Sequence, residues 1–247
     1  MIPIRDNVPR VTPPIAVVTV ILVNVVVFLY CLTLDSRSLY AFFHLFGVVP
    51  ARFLRPEWAV FAGYPSSFGW PLVSYMFLHG GWLHIIFNMW MLWIFGDNIE
   101  DVTGHVGFLA FYLLCGLAAV GLHMAFESGS RVPIVGASGA IAGVMGAYVM
   151  LYPHGRVLTL VPVFFFPLFF RLPSYVFLGI WFLMQLLSGL AGRGGGEAQS
   201  VAWWAHVGGF VAGMLLIQVF RRPGHCKYCY NPETRDYDPE DESANRF

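Results

Sequence analysis

The residues from Ile15 to Leu34 form an apolar run with one strongly polar member, Asn24. A helix needs roughly 20 apolar residues to cross the hydrocarbon of a bilayer, and this run is long enough. Five more candidates follow: Pro71–Gly96, Val106–Phe126, Val132–Tyr152, Leu172–Leu190 and Val201–Phe220. Segments of this kind leave the chain few folding options. Lipid offers no partners to backbone N–H and C=O groups, so each segment must satisfy its own as a helix. The totals agree: 57% of the 247 residues are hydrophobic and 11% are charged, where a soluble domain carries about a quarter. The expected fold class is an all-α membrane protein built as a six-transmembrane-helix bundle.

The formal net charge is zero, so no nucleic-acid partner is expected. Four cysteines, Cys31, Cys115, Cys226 and Cys229, are too few and too scattered for a disulfide framework. The start, "MIPIRDNVPR", is a polar arm before an apolar run without a small-residue cleavage site, which reads as a retained span rather than a signal peptide. "VLTLVPVFFFPLFF", residues 157–170, is apolar but holds Pro162 and Pro167. Proline breaks a helix interior, so this stretch reads as an interfacial connector into the fifth span. After Arg222 the composition turns polar and acidic, as in a mostly disordered tail. There His225, Cys226 and Cys229 make half a zinc site, and no metal or other cofactor is expected. The chain thus divides into an arm (1–13), a six-span unit (14–220) and a tail (221–247).

Lysine and arginine set orientation. With a cytoplasmic N-terminus, that side receives Arg5, Arg10, Arg156, Arg171, Arg221, Arg222, Lys227, Arg235 and Arg246. The other side receives Arg37, Arg52, Arg55, Arg131 and Arg193. Nine against five puts both ends inside, with the inner membrane of a bacterium as the expected location. Spans two, four and six then run from outside to inside. His84 and Asn88, Ser138, and His206 lie near the starts of these three spans, in one outer half of the membrane.

Those polar residues suggest chemistry. Ser138 sits in "GASGAIAG", and small-xxx-small spacing is common where membrane helices touch. Gly139 and Gly143 fit that packing role, as do Gly209 and Gly213 in "AHVGGFVAG". His206, Gly209 and Gly213 share one helix face, so this face allows close approach and presents an imidazole. Serine beside imidazole is the minimum for an activated nucleophile. His84 and Asn88, at i and i+4, project together and can both donate hydrogen bonds, as an oxyanion hole requires. Interhelical hydrogen bonding is their plainer reading. His79 lies off that face and takes a supporting role. From Ser138 to Tyr152 is roughly 22 Å of helix against a core of about 30 Å. A helix starting at Ser138 is therefore sunken, and "SRVPIVGA" before it is non-helical. Its N-terminus exposes free N–H groups and a positive dipole end. The acidic residues fall in loops or tails, including Asp97, Glu100 and Asp101 after the second span, so a dyad is expected rather than a triad. HExxH is absent, and "FGDN" has no second membrane aspartate to pair with.

These residues resemble the rhomboid family of intramembrane serine proteases, from about Pro14 to Phe220. The resemblance rests on "HGGWLHIIFN", "GASG" and "AHVGGFVAG", in that order and in the second, fourth and sixth spans. It implies a rhomboid-like bundle with a partly embedded first loop, Asp35 to Trp70. It also implies Ser138 as nucleophile, His206 as general base, and His84, Asn88 and the Ser138 amide as oxyanion hole. Gly136 and Gly139 match the glycines around the nucleophile, Gly209 and Gly213 those beside the base, and His79 a histidine supporting the first loop. The implied partners are transmembrane-helix protein substrates and membrane lipid, and the implied reaction needs no cofactor. Two departures stand out. The adjacent Trp-Arg pair often seen in the first loop is absent, and Ala142 replaces an aromatic that in some members stacks on the histidine. The alternative from another class is a non-catalytic rhomboid-like protein that binds membrane clients, although such relatives usually lose the serine or histidine. A proton-relay transporter would need an acidic partner or an internal repeat, and neither is found.

Overall fold

The computed structural model describes residues 1–65, 69–163, 166–191, 201–221, 228–231 and 236–239. Most of the chain is helical. Among the described residues, four helices are long and apolar enough to cross a membrane: α1 (Ile15–Leu32), α7 (His105–Phe126), α9 (Ser174–Ala191) and α10 (Trp203–Phe220). Two other large helices are more polar or shorter. α6 (Trp82–Thr103) carries Asp97, Glu100 and Asp101, and α8 (Ser138–Leu151) has 14 residues. The second span is shorter at its start than the sequence suggests. A short helix α5 (Pro71–Ser74) and a 3-10 turn, Tyr75–Phe77, precede α6, with Leu78–Gly81 non-helical between them.

α6 instead runs on past Gly96, so Asp97, Glu100 and Asp101 belong to a helix and not to a loop. The reason is a set of backbone partners. Glu100 is buried and its carboxylate accepts from the N–H groups of Ala16 and Val17, at 2.7 and 2.8 Å. Asp101 accepts from Val11 and Thr12 N–H, at 2.7 and 2.8 Å. The start of α1 has no side-chain cap of its own. Two carboxylates on α6 thus satisfy the free donors that any helix start and its approach leave. Val17 also lies where a Cβ on Gly96 would fall, at 2.9 Å, which seats α1 against α6.

α8 is the centre of the bundle, with every residue from Gly139 to Tyr148 buried. It crosses α10 at glycines. A Cβ on Gly209 would collide with the Gly139 carbonyl, one on Gly213 with the Gly143 carbonyl, and one on Gly146 with the Phe210 carbonyl. The two backbones touch without side chains between them. α7 packs on the same pair, with Phe126 stacked on Trp204 at 3.9 Å between ring centroids.

The first loop folds into α2 (Ser36–Phe46), α3 (Pro50–Leu54) and α4 (Pro56–Phe61). Asp35 caps α2, accepting from Arg37 and Ser38 N–H. Arg52 is 3% exposed. Its guanidinium lies 5.1 Å from the Tyr64 ring and 5.8 Å from that of Trp70, and it donates to the Leu45 carbonyl. A cation over aromatic faces, brought together through folding, thus occupies a loop that lacks an adjacent Trp-Arg pair.

The fold is not purely helical, which corrects the all-α expectation. Residues 157–163 and 166–170 lie instead on two antiparallel strands, β2 (Arg156–Val163) and β3 (Phe166–Pro173), paired from Arg156↔Pro173 to Val163↔Phe166. The N-terminal arm adds a third strand, β1 (Ile2–Arg5), against β2. Pro167 and Pro173 lie on the edge strand β3, and Pro162 lies on β2 beyond the stretch that β1 pairs, positions that tolerate a missing N–H as a helix interior does not. In the tail, β4 (Tyr228–Asn231) and β5 (Asp236–Pro239) pair, and Tyr237 is buried against Tyr152 at 5.5 Å. That part is ordered by an aromatic contact that polar composition conceals. His225 and Cys226 lie outside the described residues, and the Cys229 side chain is likewise not described.

Two measurements follow from this packing. Gly209→Ala is expected to cost about 1–3 kcal/mol, because its methyl meets a backbone carbonyl. Gly121→Ala, with nothing within 4 Å of its methyl, is expected to be neutral or stabilising by up to about 1 kcal/mol. Thermal unfolding of both in one detergent checks this, and equal midpoints would show that the helices separate freely. The second concerns the arm. Asp6 accepts from Tyr148 O–H at 2.6 Å, and burial pushes its carboxyl up from 3.8 to about 6, although that bond pulls it down. Between these values the folded arm keeps a proton that the free arm has lost, so docking weakens as pH rises through about 6. Protection factors for residues 2–8 should fall over that window in the wild type and stay level in Asp6→Asn.

Candidate active site

Three helices start near one another and carry the polar residues of the bundle. His84 and Asn88 lie in the first two turns of α6, Ser138 heads α8, and His206 lies in the first turn of α10. Ser138 Oγ stands 2.8 Å from His206 Nε2. The other ring nitrogen, Nδ1, stands 2.7 Å from Oε1 of Gln185 on α9. His206 and Gln185 are both buried, and Ser138 is half-buried.

Residues 127–137, before Ser138, are non-helical and are held from two sides. Val48 and Ile134 exchange backbone hydrogen bonds at 3.1 and 2.7 Å, and Ala51 N–H donates to the Ser130 carbonyl. Gly136 N–H donates to the Tyr75 carbonyl at 2.9 Å. The first loop and the 3-10 turn therefore supply the partners that irregular backbone inside a membrane protein requires. The segment ends on Gly136, whose φ of +127° an L side chain rarely adopts. A Cβ there would stand 2.7 Å from His84 Nε2 and 3.7 Å from Ser138 Oγ. His84 thus reaches the serine across a bare glycine.

His84 Nδ1 faces Gly80 N–H at 3.4 Å, which leaves Nε2 as the protonated nitrogen toward Gly136 and Ser138. Asn88 is 6% exposed, and its Nδ2 has no hydrogen-bond partner among the described residues. Ser138 begins α8, so the first N–H groups of that helix lack helical partners. Two side-chain donors and a helix N-terminus thus line one cavity with the Ser138 hydroxyl, an arrangement able to receive an oxyanion. His79 is buried with its ring edge-on to His84 at 5.0 Å, behind this set. Gly139, Gly209 and Gly213 lie in the α8–α10 contact below it.

Ser138, His206, His84 and Asn88 face a cavity of about 1150 Å³. Phe87 and Met91 of α6 line one wall, and Trp181 and Gln185 of α9 another. His123, for which sequence spacing offers no partner, lines it from α7. Trp181 is a further residue that sequence reasoning missed. Its ring centroid is 5.9 Å from that of His206, with Trp203 at 6.1 Å on edge, while Ala142 is fully buried in the core. Gln185 was missed as well, and its signal is an amide in the midst of an apolar span. Among the described residues no carboxylate hydrogen-bonds His206, and no group of three or more His, Cys, Asp or Glu is placed to hold a metal ion.

Residues 67–223 match the family described as Rhomboid domain. The chain belongs to the rhomboid family. This rhomboid is similar to "Rhomboid protein 1, mitochondrial" of Saccharomyces cerevisiae, at 30% identity over 58% of this chain and 40% of that protein. It is 33% identical to "Presenilin-associated rhomboid-like protein A, mitochondrial" of Danio rerio over 39% of this chain and 26% of that one. To "RHOMBOID-like protein 5" of Arabidopsis thaliana it is 37% identical, over 32% and 25% of the two chains. The chain spans well under half the length of these relatives in the matched regions. Family and apolar helices together make it a multi-pass membrane protein. Two of these relatives are mitochondrial by name and lend no support to a bacterial inner membrane.

The Gly136 geometry has a direct test. Gly136→Ala is expected to lower labelling of Ser138 by a fluorophosphonate at least about tenfold, because the methyl strains the backbone and displaces His84. Wild-type labelling of a folded variant would show that the ring and the peptide move aside without consequence.

Proposed function

We propose that this rhomboid is an intramembrane serine endopeptidase acting on transmembrane segments of other proteins. The observation that carries the reading is the 2.8 Å contact of Ser138 Oγ with His206 Nε2 at the wall of a large cavity. In this reading all six large helices cross the bilayer, residues 14–220 are the catalytic unit, and both chain ends lie on the cytoplasmic side. The short α8 then begins below the outer surface, with water held in the cavity above it.

A substrate helix enters between α6 and α9, the two walls of the cavity, and unwinds near its outer end. His206 Nε2 takes the Ser138 proton as the hydroxyl attacks the exposed carbonyl. Charge develops on the carbonyl oxygen, and His84 Nε2–H, Asn88 Nδ2–H and the Ser138 amide donate to it. The tetrahedral adduct collapses as His206 returns the proton to the leaving amine. Water, activated by the same imidazole, releases the acyl group from Ser138. The unpartnered Asn88 amide supports this assignment, since a buried donor without a partner is costly unless a ligand supplies one. Helix-weakening sequence in the substrate and a small residue near the cut are expected preferences.

The test is labelling by a fluorophosphonate together with cleavage of a model transmembrane substrate in detergent. Wild type should label and cleave, and Ser138→Ala or His206→Ala should lose cleavage by about 10⁴-fold or more. Asn88→Ala should lose about 10²–10³-fold with labelling slowed rather than abolished. A folded wild type that neither labels nor cleaves would overturn the enzyme reading and favour a client-binding rhomboid.

A further inference from the structure

The contact between His206 and Gln185 links α10 to α9 and lies opposite the serine on the imidazole ring. We propose that Gln185 is a positioning residue, which selects the tautomer and ring orientation in which His206 can accept the Ser138 proton. The inference rests on the hydrolase reading above and adds a residue to it.

A neutral imidazole carries one N–H, on either nitrogen, and its neighbours decide which. An amide oxygen accepts and does not donate. With Gln185 Oε1 at 2.7 Å, the proton belongs on Nδ1, and Nε2 presents its lone pair to the Ser138 hydroxyl at 2.8 Å. Bonds to both nitrogens also fix the plane of the ring. The reversed arrangement would have the Gln185 amide donating to Nδ1, with Nε2–H pointing at the serine, a state unable to take its proton.

Little else around the ring performs this selection. The Trp181 and Trp203 rings lie 5.9 and 6.1 Å away, and aromatic packing does not distinguish ring nitrogen from carbon. Ala142 offers a methyl. Tyr75, His84, His123, Glu127 and Arg131 are the other titratable side chains lining the cavity, and none of them hydrogen-bonds the ring among the described residues. Gln185 is itself 7% exposed in an apolar helix. A buried amide is unfavourable there unless it is bonded, and the bond it makes is to this histidine. It thus supplies the orientation that a carboxylate gives in a triad, without the charge that a membrane interior resists.

Two substitutions separate this role from packing. Gln185→Met keeps length and volume but removes the acceptor, whereas Gln185→Glu keeps an acceptor in either protonation state. In Gln185→Met, kcat for a transmembrane substrate should fall about 10- to 100-fold with KM unchanged. Gln185→Glu should stay close to wild type. ¹⁵N spectra, with the His206 signals assigned by their loss in His206→Ala, should show Nδ1–H in the wild type and a mixed or reversed tautomer in Gln185→Met. Wild-type kcat and an unchanged tautomer in Gln185→Met would overturn the proposal, as would Nε2–H in the wild type. Should the wild type fail to cleave or label, the hydrolase reading falls, while the nitrogen spectra still decide what Gln185 does to the ring.

Discussion

The structure depends on a contact between two backbones. α8 and α10 meet through Gly139 and Gly143 on one side and Gly209 and Gly213 on the other, with carbonyls where Cβ atoms would otherwise stand. Ser138 sits directly before the first of these glycines, and His206 one turn before Gly209. A hydrogen bond between two short side chains needs helix axes closer than leucine-sized residues permit. The 2.8 Å contact is therefore a consequence of the glycines below it. α7 and α6 then enclose the pair, and the first loop holds the irregular segment that delivers Ser138.

Much of this is legible in the sequence because helices repeat. The i, i+4 spacing of His84 and Asn88 and the i, i+3, i+7 spacing of His206, Gly209 and Gly213 put each set on one face by helical geometry alone. Likewise the limited length from Ser138 to Tyr152 predicts a short helix preceded by irregular backbone, and α8 starts at Ser138. Periodicity also has limits. Charges usually end a span, so Glu100 and Asp101 suggest a loop, yet they lie on α6 because distant N–H groups fill their carboxylates. The apolar strand pair β2–β3 carries no signal that tells a strand from a connector, apart from its three prolines. Gln185 could not be paired with His206 from spacing, since α9 and α10 face one another only after folding.

The first loop shows the same division. Its aromatic and proline content indicates a structured segment, but not that Arg52 would gather Tyr64 and Trp70 around one guanidinium. That cluster keeps the loop compact beside Val48 and Ala51, whose backbone groups bond to Ile134 and Ser130. Loop and site are thus one hydrogen-bonded assembly. The backbone around Ser138 takes its geometry as much from residues 48–51 as from the helix it begins.

The three-stranded sheet bears on the order in which the chain completes itself. β1 precedes all six large helices, yet its partner is β2, with Ile2 opposite Leu160. Translation proceeds from the N-terminal side, and segments fold as they emerge. The arm has no strand to join until α1, α6, α7 and α8 have all been made, and α9 follows immediately after the sheet. Closing the sheet therefore brings residues 2–5 against β2 and α6, where Trp90 Nε1–H donates to the Pro3 carbonyl, only after four of the six large helices exist. A strand that precedes these helices in sequence thus finds its partner only after four of them have been made.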